Sequence, residues 1–338
     1  HTVDPALMFQ HYLYSSSATV ALRGYFKQVA ENIVKEYNLQ SNDFVVEIGS
    51  NDGVMLKPLT ELGMYAMGVE PSKNLAARSN EQGLLTVCDF FSSATGQVLR
   101  EIAPAKLIYS ANCFAHSPNL RDMLKGVKTL LDENGGFIIE VQYWGSMVEK
   151  LLFDNIYHEH FHFWTTTALI NFFLMEDLEI VKIEFLESHG GSIRVHSKHK
   201  GSGSGIKESV AHFEEQDQKI HELETFKKYK ERIDEARWKI QTVLRNLSSV
   251  GNKIAAFGCP AKACTLLHTF DIGRYIGKIY EDAPLKIGNF SPGHKIPIVS
   301  SSELMTDNPD AIVILAWNYA DSIKARFPDY KGQWILPV

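Results

Sequence analysis

Apolar positions along this chain come in two rhythms: short unbroken runs that stop at a glycine or an acid, and longer stretches that repeat every three or four residues. The clearest run is FVVEIGSNDG at 44–53, where Phe44, Val45, Val46 and Ile48 make the continuous pattern of a parallel strand buried on both faces. Gly49 and Gly53 then let the backbone approach a ligand closely. Just upstream, Leu22, Phe26, Val29, Ile33 and Val34 keep a helical period, which predicts a helix over 21–37. Further runs predict strands near 65–70, 84–88, 106–110 and 136–142, with helical patterning between them, and this alternation is that of a doubly wound parallel sheet. Two more runs, 178–187 and 192–199 around Gly190-Gly191, read as an antiparallel hairpin at its edge.

KGSGSG at 200–205 reads as a flexible joint. Beyond it Val210, Phe213, Ile220, Leu223, Phe226, Ile233, Ile240, Leu244 and Leu247 predict one or two long amphipathic helices up to about residue 250. From Lys253 a second α/β unit begins, with KIAAFG, YIGKIYED, AIVILAW and QWILPV as strands and CPAKACTLLHTF as a helix. It imitates the first unit in outline, without a detailed repeat. The expected organisation is an N-terminal strap at 1–20, a first α/β domain at 21–200, a linker with a long helical segment at 201–250 and a second α/β domain at 251–338.

With 338 residues, 45% of them hydrophobic and 22% charged, the chain has ordinary globular composition and room for two domains. A net charge of −6 and the lack of a basic run argue against nucleic acid as a partner. Cys88, Cys113, Cys259 and Cys264 form no C-x-x-C pair and read as reduced thiols of an intracellular protein. No apolar run has the length of a membrane span and no secretory leader is evident, so a cytoplasmic location is expected.

The second predicted strand stops at Glu70, where an acid accepts hydrogen bonds from ribose hydroxyls, which fits a nucleoside cofactor. A dinucleotide needs G-x-G-x-x-G, but this turn reads Gly49-Ser50-Asn51-Asp52-Gly53 after Glu47. The three-glycine spacing is absent, and an NAD-binding oxidoreductase stays only as an alternative. The acidic E-x-G-x-x-x-G pattern resembles motif I of class I S-adenosylmethionine-dependent methyltransferases, whose cofactor carries an ammonium and a sulfonium and no phosphate. This resemblance implies a Rossmann-like fold with Glu47, Gly49, Asn51, Gly53 and Glu70 at the cofactor. It also places Asp89 and Phe90 at the adenine, and Asn112 at the end of the fourth strand.

The densest titratable cluster is Tyr157-His158-Glu159-His160-Phe161-His162. It contains H-E-x-x-H, but that motif binds zinc only on a helix and with a third ligand, and the aromatic surroundings argue against it. No metal is expected. A histidine works near neutral pH as a general base, and Glu159 or Tyr157 is placed in sequence to orient it or to hold a developing oxyanion. Thr165-Thr166-Thr167 is the expected cap of the next helix.

In the second unit the turn before Ala261 and Lys262 suits a diphosphate, with His294 in SPGHKIPI as a further contact and Asn318, beside Trp317, facing the nucleotide base. Taken together, FDNIYHEHF, SANCFAHSPN, YLYSSSA, FGCPAKACT, SPGHKIPI and LAWN resemble the sugar C-3-methyltransferases that act on nucleotide-linked 4-keto deoxyhexoses. The resemblance covers nearly the whole chain. It implies that His160 removes the C-3 proton, with Tyr157 and Glu159 beside it, His116 near the reacting carbons, and Tyr12 or Tyr14 closing over the sugar. The substrate it implies is an NDP-4-keto-6-deoxy or 2,6-dideoxy hexose, dTDP-linked, bound to a monomer or dimer. That family normally begins with a cysteine-rich zinc module, which this sequence lacks, so bound zinc is not implied. A sugar O-methyltransferase and a non-catalytic nucleotide-sugar binder are the remaining alternatives.

Overall fold

A computed structural model describes residues 3–12, 14–18, 20–202 and 207–338, so Leu13 of the YLYSSSA stretch and much of the expected joint at 200–205 lie outside the described residues. The contacts divide the chain into two compact units, His1–Gly145 with His158–Gln218, and Ser146–Tyr157 with Lys219–Val338.

The first unit is built on a sheet of β1 (Phe44–Ile48), β2 (Tyr65–Val69), β3 (Leu85–Val87), β4 (Ala105–Ala111), β5 (Leu131–Gln142), β6 (Leu178–Leu186) and β7 (Ser192–His199). Its order is β3-β2-β1-β4-β5-β7-β6, with β7 antiparallel to both neighbours. Every residue of β1 is buried, as its apolar run requires. The helix Val20–Glu36 covers the sheet with Phe26, Val29, Ala30 and Ile33, which join Val45, Leu107 and Ile138 in one core. Strand order reverses between β1 and β4, which puts a ligand crevice at their carboxyl ends.

The second unit holds β8 (Ile254–Phe257), β9 (Ile279–Glu281), β10 (Ile298–Ser300), β11 (Ala311–Ile314) and β12 (Gln333–Ile335), all parallel, in the order β10-β9-β8-β11-β12. β10 is absent from the sequence reading because its three residues directly continue the proline-bearing stretch SPGHKIPI, where no apolar run stands apart. The short helix Pro5–Phe9 is likewise unforeseen; Asp4 caps it by accepting the Ala6 N–H.

The stretch expected as a linker at 201–250 is divided between the units. In the helix Glu208–Ile220, buried Asp217 accepts hydrogen bonds from the Tyr143 and Thr166 hydroxyls and the Thr167 N–H, which ties it into the first unit. The helix Leu223–Ser249 belongs to the second, where Arg232 donates to the carbonyls of Val148 and Glu149, and Gln241 to that of Phe270. No helix among the described residues is long and apolar enough to cross a membrane.

Candidate active site

β1 delivers Glu47 and then turns sharply. Gly49 has φ +74°, and a Cβ there would stand 2.6 Å from Cys113 Sγ, so only glycine fits. Cys113 itself is half-buried, and desolvation pushes its thiol up to about 12, which leaves it a packing residue. Asn51 also adopts a left-handed conformation and donates its N–H to Glu70 Oε2 at 2.8 Å, while the Ser72 N–H donates to Glu70 Oε1 at 2.9 Å. Burial raises the Glu70 carboxyl above its ordinary value against the pull of these two bonds.

Glu47 is 3% exposed and its Oε2 has no hydrogen-bond partner. Burial, with the charges of Glu70 and Asp52, holds its carboxyl well above the usual carboxylate range. Three acids of one sign around a glycine turn form a site that a cation completes. S-Adenosylmethionine fits that requirement through its α-ammonium, whereas a pyrophosphate would be repelled.

The N-terminal strap is hydrogen-bonded to this turn. Ser16 donates its N–H to Asn51 Oδ1 at 2.9 Å, and the hydroxyls of Ser15 and Ser17 donate to Asp52 Oδ2 at 2.5 and 2.6 Å. Asn51 Nδ2 in turn donates to the Tyr14 carbonyl. The sequence reading missed the three serines and Asp52, although S-S-S stands in the quoted opening and Asp52 inside the turn. Tyr14 is 51% exposed and contributes backbone, whereas the Tyr12 hydroxyl donates to Glu159 Oε2 at 2.8 Å. The structure thus brings Tyr12 to the histidine-bearing stretch.

His116 closes the 3-10 turn Phe114–His116. Its ring stacks on that of His160 at 4.9 Å and, within the same unit, lies 5.8 Å from Phe9. Burial, and secondarily His160, lower its value to about 3, so His116 is a neutral imidazole at physiological pH. Phe161 N–H donates to the Ala115 carbonyl, and His162 Nε2 lies 3.1 Å from the Ser117 carbonyl oxygen. The segment from His158 to Phe163 is turn and irregular chain, so the zincin geometry, two histidines on one helical face, does not form. Thr165 caps the helix Thr166–Met175 as expected, accepting the Ala168 N–H.

Asp89 and Phe90 are exposed just after β3, where Asp89 Oδ1 accepts the Phe90 N–H. Asn112, also exposed, follows β4 with φ 51° and donates its N–H to the Glu140 carbonyl. Both positions stand at carboxyl ends of the sheet. Tyr157 is half-buried and falls in the second unit, its N–H on the Asn155 carbonyl.

In the second unit Ala261 opens the helix Ala261–Phe270 and Lys262 is used internally. Its Nζ lies 2.6 Å from Asn318 Oδ1, 3.3 Å from Asp154 Oδ2 and 4.5 Å from the Trp317 ring centre. Trp317 Nε1 donates to the same Asp154 oxygen at 2.8 Å. Burial lowers the Lys262 value, opposed by Asp154, and raises that of Asp154, opposed by Lys262. His294 stacks on His268 at 4.4 Å. Nothing in the periodicity marks Asp154; its only signal is its place in FDNIYHEHF.

The fold and the acidic glycine turn define an S-adenosylmethionine-dependent methyltransferase. Residues 22–183 match the methyltransferase domain model, and residues 187–338 match the model described as C-methyltransferase C-terminal domain. The chain is 32% identical to the C-methyltransferase NovU of Streptomyces niveus over 348 aligned residues, covering 100% of this chain and 82% of that one. It belongs to this family of C-methyltransferases. Among solved structures, magnesium protoporphyrin IX methyltransferase from Synechocystis with bound SAM has a TM-score of 0.40 at 11% identity, over 54% of this chain and 81% of its own. A methyltransferase from Clostridium acetobutylicum has a TM-score of 0.42 at 14% identity, over 55% and 94%. Membership in this family displaces the oxidoreductase and binding-protein alternatives.

Proposed function

We propose that this enzyme transfers a methyl group to C-3 of an NDP-4-keto-6-deoxy or 2,6-dideoxy hexose, with His160 as the base. The observation that carries the reading is the His116–His160 stack in the same unit as the Tyr12–Glu159 hydrogen bond and the acidic turn. A C–H next to a ketone is a weak acid, so its removal needs a base held in position and a donor for the enolate oxygen. His160 is the base. His116, neutral and half-buried, is the donor that would not compete for the proton, with Tyr157 as a second candidate. Glu159, held by Tyr12, fixes the chain at the base. S-Adenosylmethionine, when bound, supplies the electrophilic methyl, and Glu47, Gly49, Asn51, Gly53 and Glu70 are the residues that would hold it, with Asp89, Phe90 and Asn112 at the adenine side.

The test is mass spectrometry of NDP-4-keto sugars incubated with methyl-deuterated S-adenosylmethionine in D2O. Label on carbon 3 is expected, and His160→Ala should lower turnover by about 10²–10⁴ while retaining S-adenosylhomocysteine affinity. Label on a sugar oxygen would replace this reading with O-methylation, in which His160 deprotonates a hydroxyl.

A further inference from the structure

We infer that Gln142, at the carboxyl end of β5, donates its side-chain N–H to an oxygen of the methyl acceptor, with the Ser188 hydroxyl as a second donor beside it. That this acceptor is a sugar rests on the function proposed above. That the amide is completed from outside the protein follows from its place in the sheet.

Side chains alternate along a strand, so residues 138, 140 and 142 of β5 share a face. Ile138 packs in the core with Val29 and Ile33 of the helix Val20–Glu36. Glu140, one step further out, is buried and paired on both oxygens. Its Oε1 accepts from Arg194 Nε and Nη2 at 2.9 and 2.8 Å and from the Tyr109 hydroxyl at 2.8 Å, and its Oε2 accepts from the Tyr25 hydroxyl at 2.9 Å. Gln142 is the next residue on this face and the last of the strand. It is half-buried, and its Nε2 is shielded from solvent with no hydrogen-bond partner.

β7 repeats the contrast. Arg194 stands opposite Glu140, and Ser192 opposite Gln142. The Ser192 hydroxyl donates to the Ser188 carbonyl at 3.1 Å, and Ser188 Oγ is a second shielded atom without a partner. The ionic pair is thus complete within the protein, and the outermost pair is not. A buried donor left unpaired lowers stability, and a ligand oxygen that meets it is selected over a ligand lacking that oxygen.

The end of β5 leads to the histidine-bearing stretch. Trp144 donates its N–H to the Trp164 carbonyl, and its ring lies 6.0 Å from Phe163, which lies 6.1 Å from His160. β4 separates β5 from the glycine turn of β1, and at a strand spacing of about 4.8 Å this puts the two ends about 10 Å apart. The acidic turn and Glu70 lie on one side of β4 and Gln142 on the other. The ligand that meets the amide is therefore the acceptor rather than the cofactor. Its ligating atom is a carbonyl or hydroxyl oxygen, so a deoxy carbon at that position is disfavoured.

The test is steady-state kinetics of the full-length wild type, Gln142→Leu and Ser188→Ala on the NDP-4-keto hexose that the wild type methylates, with melting and S-adenosylhomocysteine titration alongside. Gln142→Leu should raise KM about tenfold at steady kcat, and Ser188→Ala about threefold, with S-adenosylhomocysteine affinity unchanged. Melting of substrate-free Gln142→Leu should move up by about 2–4 °C, because a shielded donor without a partner is gone. Unchanged KM in both variants overturns the inference and leaves C-methylation standing, whichever way melting moves. A loss of S-adenosylhomocysteine affinity matching the rise in KM also overturns it, since the amide then serves the cofactor. If Gln142→Leu folds poorly, Ser188→Ala decides alone. Wild-type protein that methylates no keto sugar overturns both this inference and the function it rests on.

Discussion

In the first unit the buried acid of β1, Glu47, has the acids Glu70 and Asp52 as its charged neighbours. In the second unit the buried acid Asp154 has the Lys262 ammonium at 3.3 Å and the Trp317 indole N–H at 2.8 Å on one oxygen. One carboxylate already has its counter-charge and serves the fold. The other is surrounded by its own sign, and its counter-charge has to come from a ligand. The same contrast separates the two glycine turns, acidic after β1 and lysine-bearing after β8.

The comparison breaks most visibly at Lys262. Lys262→Ala should destabilise the second unit by about 3 kcal/mol, because it strands the Asp154 charge, and Asp154→Ala in addition should recover part of the loss. Urea unfolding followed by tryptophan fluorescence checks this; an unshifted transition would mean that Lys262 is free for substrate. Glu47→Gln should act in the opposite sense on stability. Its folded carboxyl is raised, so the folded state binds the extra proton and the acid lowers stability as pH rises above the ordinary carboxylate value. Melting of the cofactor-free variant should therefore move up by about 2–4 °C at pH 8 and by less at pH 5, while S-adenosylhomocysteine affinity falls about tenfold. A lower melting temperature would show that Glu47 has a cation within the protein.

A smaller effect concerns His116. Its folded value of about 3 lies below the ordinary 6.5, so the stability it contributes is complete above 6.5 and is lost as pH falls toward 3. The slope is at most about 1.4 kcal/mol per pH unit. His116→Gln should flatten the urea midpoint between pH 7 and 5; a slope equal to the wild type's would exclude burial of a neutral ring. The smallest is Tyr12→Phe, which removes the hydrogen bond to Glu159 and should lower kcat about fivefold, with S-adenosylhomocysteine affinity steady. A rise in KM alone would make Tyr12 a substrate contact only.

Much of the fold was legible because each parallel strand buries both faces and so writes itself as an apolar run, as in β1, β4 and β11. β10 escaped because it continues the proline-bearing stretch SPGHKIPI with no apolar run of its own, and Pro5–Phe9 because a helix of that length has no second turn to repeat. At the site, Glu47, Gly49 and Glu70 could be read from their spacing around one strand-turn. The bond between Tyr12 and Glu159 could not, since it joins residues far apart along the chain. Nor could the pairing of Lys262 with Asp154, which belongs to another stretch of sequence; proximity of that kind leaves no local trace.

The segment Ser146–Tyr157 belongs to the second unit yet is followed by His158–Gln218 of the first. Translation therefore releases it before the residues of 219–338 that it joins exist. Phe153, whose ring lies 4.8 Å from Phe270, must stay uncovered while the first sheet acquires β6 and β7. Units that fold one after the other during synthesis are the common case. Here neither unit is one uninterrupted stretch of the gene, so a chimera that exchanges the second unit for a relative's needs three junctions rather than one, and a single cut near residue 220 would leave the second unit with a foreign segment, 146–157.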